Sequence, residues 1–447
     1  MLLPVRMVFA DNDPNLAQLQ QQLSQQQKVL AELQAKLMAM EARHVAAEPN
    51  AAKKLEAKVA TIEKTQAQQA QQNQAMSQKL ADMATKEPNL PKSLDWARHI
   101  KISGDFRYRY ENIHSEGSAD NQRNRIRARL GLTAKVSDDV DTIFRIATDT
   151  GKSGLNGGDP SSTNQTLGDG LSKKDFWIDL AYFVWHLRDI PGLKVYGGKM
   201  ENPFYRASSN QLIWDSDLTP EGIAVQYTTS LTDNDELFAN GGGFWANQSA
   251  TNTDVLYQGL FGTQGGVKHT FADKSYLLGS AGYYAYGNTQ GEPTLWNNRN
   301  GYGNTVTTDA AGNTFYANEY GLMELFAEYG FNIGKTPASV YADYVNNTRA
   351  TVGGDTGWLV GASYGKCKDP ASWQLSYDYR DLESDAVVGV FTDSDFIGGG
   401  TNGKGHRFGA TYQLTKNVQA GLTYFMDKKG NDETDYNRLQ ADLMFKF

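Results

Sequence analysis

From His99 to Phe447 apolar and polar residues take turns along the chain. Ile100, Ile102, Phe106, Tyr108 and Tyr110 interleave with Lys101, Ser103, Asp105, Arg107 and Arg109. Trp373, Leu375, Tyr377 and Tyr379 interleave with Gln374, Ser376, Asp378 and Arg380, and Val418, Ala420, Leu422 and Tyr424 with Gln419, Gly421 and Thr423. Successive side chains of a β-strand point to opposite faces, so each segment carries one apolar and one polar face. About 16 such segments occur, each near the length a tilted membrane-crossing strand needs. Their connections alternate too. Short ones lie at Ser137–Asp139, around Pro191-Gly192, at Thr232–Asp235 and at Thr415–Asn417. Long ones span Thr150–Lys174, Lys199–Thr219, Gly287–Ala317 and Asp381–Gly405. Short turns at one rim and long loops at the other are the pattern of an all-β transmembrane antiparallel β-barrel. A soluble sandwich would also alternate, but would join its strands differently.

Hydrophobic content is 40%, and no stretch approaches the roughly 20 apolar residues of a membrane helix. A membrane barrel hides its lipid-facing signal in alternation, so this excludes helices only. The single cysteine, Cys367, rules out an internal disulfide framework and a cysteine-rich metal site. A net charge of -8 argues against a nucleic-acid partner. The six histidines are scattered, and no HExxH, GxSxG or P-loop pattern occurs, so neither an enzyme nor a cofactor is expected. Gly241-Gly242-Gly243 sits inside a strand-like segment, where a bend or close backbone approach explains it.

The first 13 residues read as a signal-like remnant. Residues 14 to 86 change period. Leu16, Leu19, Leu23, Leu30, Leu33, Leu37 and Met40 step by threes and fours, and after a break at Pro49 a second seam runs through Leu55, Val59, Ile62, Met76, Leu80 and Met83. That is a heptad repeat, expected to form a helical coiled coil joining copies of the chain, with a helical hairpin as the alternative. Residues 87 to 98, with Pro88 and Pro91, read as a linker, and 99 to 447 as the barrel. An even strand number puts both barrel ends on the short-turn side, so the helices are expected in the periplasm.

In the last strand Leu439, Ala441, Leu443, Phe445 and Phe447 alternate with Arg438, Gln440, Asp442, Met444 and Lys446. An alternating strand closed by Phe445 and Phe447 resembles the signal that barrel-assembly machinery reads. Together with IKISGDFRYRY from Ile100, GGKMENPF from Gly197 and VVGVFTDSDFIGGGTNGKGH from Val387, it makes residues 95 to 447 similar to the putative-porin family of Gram-negative outer membranes. The resemblance implies a 16-stranded barrel in a homotrimer, set in a lipid bilayer with lipopolysaccharide, passing small hydrophilic solutes. The helical extension also resembles phosphate-type porins, but the third long loop lacks their Arg array.

If the apolar face of the first strand meets lipid, Arg107 and Arg109 point into the lumen, joined from the next two strands by Arg123, Arg125, Arg127, Arg129 and Arg145. Adjacent strands lie about 4.8 Å apart, so these guanidiniums form one basic wall. By the resemblance, the third long loop narrows the barrel and sets Glu201, Asp215 and Asp217 against that wall, with Lys199 and Arg206 blurring the charge. Opposed charges in a narrow passage would create a transverse field. A solvated wall at the pore mouth is the alternative. Asp385, Asp393 and Asp395 match no Ca²⁺-binding spacing, so no metal site is expected and they read as surface turns. The leading functional reading is a passive porin. The alternatives are an anion-selective channel, and an envelope tether whose coiled coil links the outer membrane to the cell wall.

Overall fold

The computed structural model describes residues 97–149, 158–250 and 255–447, plus five isolated positions, Ala60, Lys64, Ala67, Gln68 and Gln71, all exposed and helical. The rest of the expected coiled coil, and all but the end of the linker, lie outside the described residues. Ala97–His99 make one 3-10 turn before the first strand.

The strands are β1 Ile100–Ser115, β2 Asn121–Lys135, β3 Val140–Thr148, β4 Gln165–Thr166, β5 Phe176–His186, β6 Leu193–Lys199 and β7 Glu221–Ser230. Then come β8 Asp235–Ala250, β9 Val255–Thr270, β10 Tyr276–Gly287, β11 Val306–Thr308, β12 Thr314–Tyr316 and β13 Gly321–Ile333. The chain finishes with β14 Thr336–Asn347, β15 Thr356–Gly365, β16 Trp373–Leu382, β17 Gly403–Thr415, β18 Val418–Lys429 and β19 Thr434–Lys446. β4, β11 and β12 belong to loops. The other 16 pair antiparallel with their neighbours, and β19 returns to pair with β1, closing the barrel. The β1–β19 register runs from Asp105 opposite Lys446 to Ser115 opposite Tyr436. At its lower end Gly104 and Phe447 exchange backbone bonds of 3.0 and 3.1 Å. Closure leaves no free edge strand in the ring among the described residues, which keeps backbone polar groups from facing lipid.

The partition of side chains is inverted relative to a soluble protein. Ile102, Leu130, Ile223, Phe261, Leu375 and Leu422 face outward with 47–64% of their surface exposed. Arg109, Glu324, Asp378, Arg380 and Arg438 face inward and are almost wholly buried. An apolar band of that extent is stable only against lipid.

Connections at one rim are tight. Gly192 turns the chain between β5 and β6 at φ +90, and a Cβ there would lie 2.0 Å from the Thr228 carbonyl oxygen, which excludes any other residue. The opposite rim carries eight connections, L1 to L8, of which L2 (149–175), L3 (200–220), L5 (288–320) and L7 (383–402) are long. L3, L5 and L7 turn into the lumen rather than out into solvent. There Phe204, Leu212 and Trp214 of L3, Leu295 and Tyr316 of L5, and Val387, Val390 and Phe396 of L7 form one apolar core with Tyr284, Leu322, Val345 and Leu359 of the wall. Aromatic edges fix its centre, with Phe204 4.8 Å and Trp214 5.2 Å from the Tyr284 ring.

Candidate permeation constriction

Register builds the charged wall. On β1 the inward residues are Asp105, Arg107, Arg109 and Glu111; on β2 they are Arg129, Arg127, Arg125 and Arg123, each directly opposite in that order. On the far side of β1, β19 supplies Met444 opposite Arg107, Asp442 opposite Arg109 and Gln440 opposite Glu111. Two cross-strand pairs, Arg107 with Arg127 and Arg109 with Arg125, therefore set like charges face to face, which is unfavourable unless carboxylates intervene.

Carboxylates do intervene for all but one. Asp105 accepts from Arg127 at 2.9 Å and from Arg129 at 2.7 Å. Glu111 accepts from Arg123, and from Arg438 at 2.7 Å, with Arg125 3.8 Å away. Asp442 takes the fork of Arg109 at 2.7 and 2.8 Å. Arg145 on β3 pairs with Asp179 and, at 3.2 Å, with Glu201. Arg107 alone in this ladder has no carboxylate in ion-pair contact among the described residues. Its Nη2 donates instead to the side-chain oxygen of Asn164.

Asn164 belongs to L2, whose inner end folds over the ladder. The short strand β4 pairs Thr166 with Arg125 and Gln165 with Ile126. Thr163 is tied to Asp217 of L3 at 2.8 Å and its carbonyl accepts from Thr148 at 2.8 Å. Asp217 lies 3.5 Å from Arg129 and 4.0 Å from Arg127. Burial works to raise the Asp217 carboxyl, but Arg127, Arg129 and Arg107 outweigh it and hold it below the usual carboxylate range.

The other members of L3 go elsewhere. Asp215 turns away from the ladder and accepts the Ser394 N–H of L7 at 2.9 Å and the Asp217 N–H at 2.8 Å. Burial, reinforced by Asp217 and Asp393, pushes its carboxyl well above the ordinary value. Arg206 donates to the carbonyls of Asn210 and Trp214, and so braces L3 itself. Lys199 sits at the end of β6 beside Glu221 and the Thr219 carbonyl, each at 3.0 Å.

L7 is a second inserted loop, and its aspartates are not surface turns. Asp385 accepts from Thr305 of L5 and from Tyr320 at 3.0 Å. Asp393 pairs with Arg380 at 2.9 Å, beside a second charged set in which Asp378 takes Arg380 and Arg407. Asp395 bridges Arg109 at 3.0 Å and Arg438 at 2.7 Å. Burial raises the Asp395 carboxyl, but Arg438 and Arg109 overcome it and hold it far below the usual range. The three carboxylates are thus spent on three different parts of the barrel, which is why they do not converge on a cation. Among the described residues no cluster suited to a metal ion occurs. A cavity of about 790 Å³, lined by Thr148, Asp179, Asp217, Trp245 and Trp296 among others, opens beside the ladder between L2, L3 and L5.

Arg438, Asp442 and Asn164 were not singled out by sequence reasoning. The first two lie on the polar face of the alternating last strand, and only the closing register reveals that they meet Arg109 and Glu111. Asn164 carries no local signal.

With the closed barrel and its inward charges established, the relatives fall into place. The sequence matches the family described as putative porin over residues 113–326 and 317–447. The chain belongs to the putative porin family. No curated protein matches it. The fold is similar to the high-pH structure of Pseudomonas putida OprB, with 11% identity, a TM-score of 0.52, and coverage of 78% of this chain and 95% of that one. Salmonella typhi OmpF in complex with daunomycin is also similar, at 10% identity and a TM-score of 0.46, covering 78% of this chain and 97% of that one. The putative porin described here is accordingly an outer-membrane channel protein, and family and fold point away from an enzyme.

Proposed function

We propose that this porin is a passive, water-filled channel for small hydrophilic solutes and ions, assembled as a homotrimer among lipopolysaccharide, with its N-terminal helices in the periplasm. Passage is limited where L2, L3 and L7 crowd the guanidinium ladder. The single observation carrying this reading is the inward stack of Arg107, Arg109, Arg125, Arg127 and Arg129 met by Asp217 of L3, 3.5 Å from Arg129 and 4.0 Å from Arg127. Fixed opposite charges in a narrow passage orient polar solutes and disfavour apolar ones, which cannot replace lost water. Phe445 and Phe447 serve as the assembly signal, and lie where the seam closes.

An anion preference is favoured by one specific feature, the lack of a carboxylate partner for Arg107 among the described residues. Purified protein in planar bilayers should give stable conductance steps in groups of three. In a salt gradient, Arg127→Ala should move the reversal potential toward cations. Folded trimers without conductance would overturn the channel, and an unmoved reversal potential would overturn the charged constriction.

A further inference from the structure

Arg107 and Arg125 point their guanidiniums at the same residue. Arg107 Nη2 donates to the side-chain oxygen of Asn164, and Arg125 Nη2 donates to its main-chain oxygen at 2.9 Å. Both arginines are more than nine-tenths buried, at 8% and 5% exposed. The Nε of each has no acceptor among the described residues. Two cations thus grip one neutral residue through two oxygens and keep two buried donors in reserve. Charge balance is poor as well. Arg107 faces Arg127 across the strand pair and has Arg109 two residues along, and the carboxylates whose charge reaches it, Asp442 and Asp217, are already committed to other arginines.

We propose that Arg107 and Arg125 form a binding site for a small oxyanion, a carboxylate or a phosphate, and that the Asn164 side chain fills it in the unliganded chain. The inference rests on the channel reading and names a ligand class for its constriction. A guanidinium presents paired N–H donors in a planar fork matched to carboxylate and phosphate oxygens. Hydrogen bonds to an ionised acceptor are about twice as strong as those to a neutral amide. An oxyanion therefore displaces the Asn164 carboxamide from Arg107, engages Nη2 and the free Nε, and reaches the free Nε of Arg125. The main chain of L2 can stay in place, because Thr163 and β4 hold it on both sides of Asn164. The displaced amide turns toward Ser162, whose hydroxyl oxygen already lies 3.4 Å from its nitrogen. A solute carrying one such group would pause here before crossing.

The test is calorimetric titration of the full chain, folded in detergent, with sodium phosphate, acetate or chloride at constant ionic strength. Saturable uptake of phosphate or acetate, and not of chloride, is expected, and the two oxyanion arms tell which class is preferred. Arg107→Met should weaken binding about tenfold or more. Asn164→Ala should tighten it by removing the competitor. Asn164→Asp should abolish it, because a tethered carboxylate then occupies the site, and this variant keeps both arginines should Arg107→Met fail to fold. No uptake of either oxyanion at millimolar concentration, or equal uptake by wild type and Asn164→Asp, overturns the proposal. Bilayer recording of the same samples separates the two readings. Conduction without oxyanion binding removes this site alone, and binding without conduction removes the channel alone.

Discussion

Asp395→Ala removes the carboxylate that pins the tip of L7 to the barrel seam. In the native chain Asp395 accepts from Arg109 at 3.0 Å and from Arg438 at 2.7 Å. Neither arginine would be stranded by the change, since Arg109 keeps Asp442 and Arg438 keeps Glu111. The loss is therefore that of two charge-assisted bonds rather than of a buried charge left alone, about 2–4 kcal/mol. That lowers the docking constant of the tip about 30- to 1,000-fold. L7 stays tethered elsewhere through Asp385 and Asp393, so the barrel should fold and the tip should come and go. Single-channel recording should then show a higher mean conductance and much greater open-state noise than wild type, with Asp395→Asn between the two. Because the Asp395 carboxyl is depressed in the folded chain, its contribution is present above the unfolded value of about 3.9 and is lost only as pH falls through its own much lower value. Acidification to pH 4 should leave the wild-type latch closed. Folded Asp395→Ala channels with native conductance and quiet currents would refute the claim that L7 obstructs the lumen.

Two further outcomes follow from particular contacts. Gly104→Ala places a methyl group 2.4 Å from the Arg129 carbonyl oxygen and 2.6 Å from the Phe447 ring. It should cost about 1–3 kcal/mol by overpacking the closing seam, seen as a lower temperature of gel-mobility change, and an unshifted temperature would contradict it. Asp215, whose folded carboxyl is raised, contributes fully below the ordinary carboxylate range and loses that contribution as pH rises toward its folded value. The L3–L7 junction should accordingly loosen with rising pH, with increasing current noise, and Asp215→Asn should abolish the trend. Identical pH dependence in the two proteins would exclude Asp215 as its source.

The barrel was legible because a two-residue period marks every strand and loop length marks the rim. Alternation alone is enough to write Asp105, Arg107 and Arg109 on one face of β1, and Arg123 to Arg129 on one face of β2. The loops were another matter. Nothing local says that Asp393 and Asp395 end up buried, because their partners Arg380, Arg109 and Arg438 come from three separate strands. The sequence alone presents the third long loop as a row of acids facing arginines. Only its end, at Asp217, and its beginning, at Glu201, stand by the ladder, while Asp215 and Arg206 turn to L7 and to L3 itself. Aperiodic segments fold by packing onto whatever apolar surface the wall offers, and that surface exists only once the strands have paired.

The guanidinium ladder draws on both extremities of the barrel sequence, since Arg109 finds Asp442 and Glu111 finds Arg438 across more than three hundred residues of chain. Neutralising Arg109 and Arg438 is therefore an event of final zippering, whereas Asp105 balances Arg127 and Arg129 within the first hairpin. A nascent barrel whose last hairpin has not yet met its first would carry Arg109 without Asp442 at an open margin, and leave Glu111 to the arginines of its own hairpin. Completion of the ring and quenching of those charges happen in one stroke, which makes a partly shut intermediate costly to hold in the membrane.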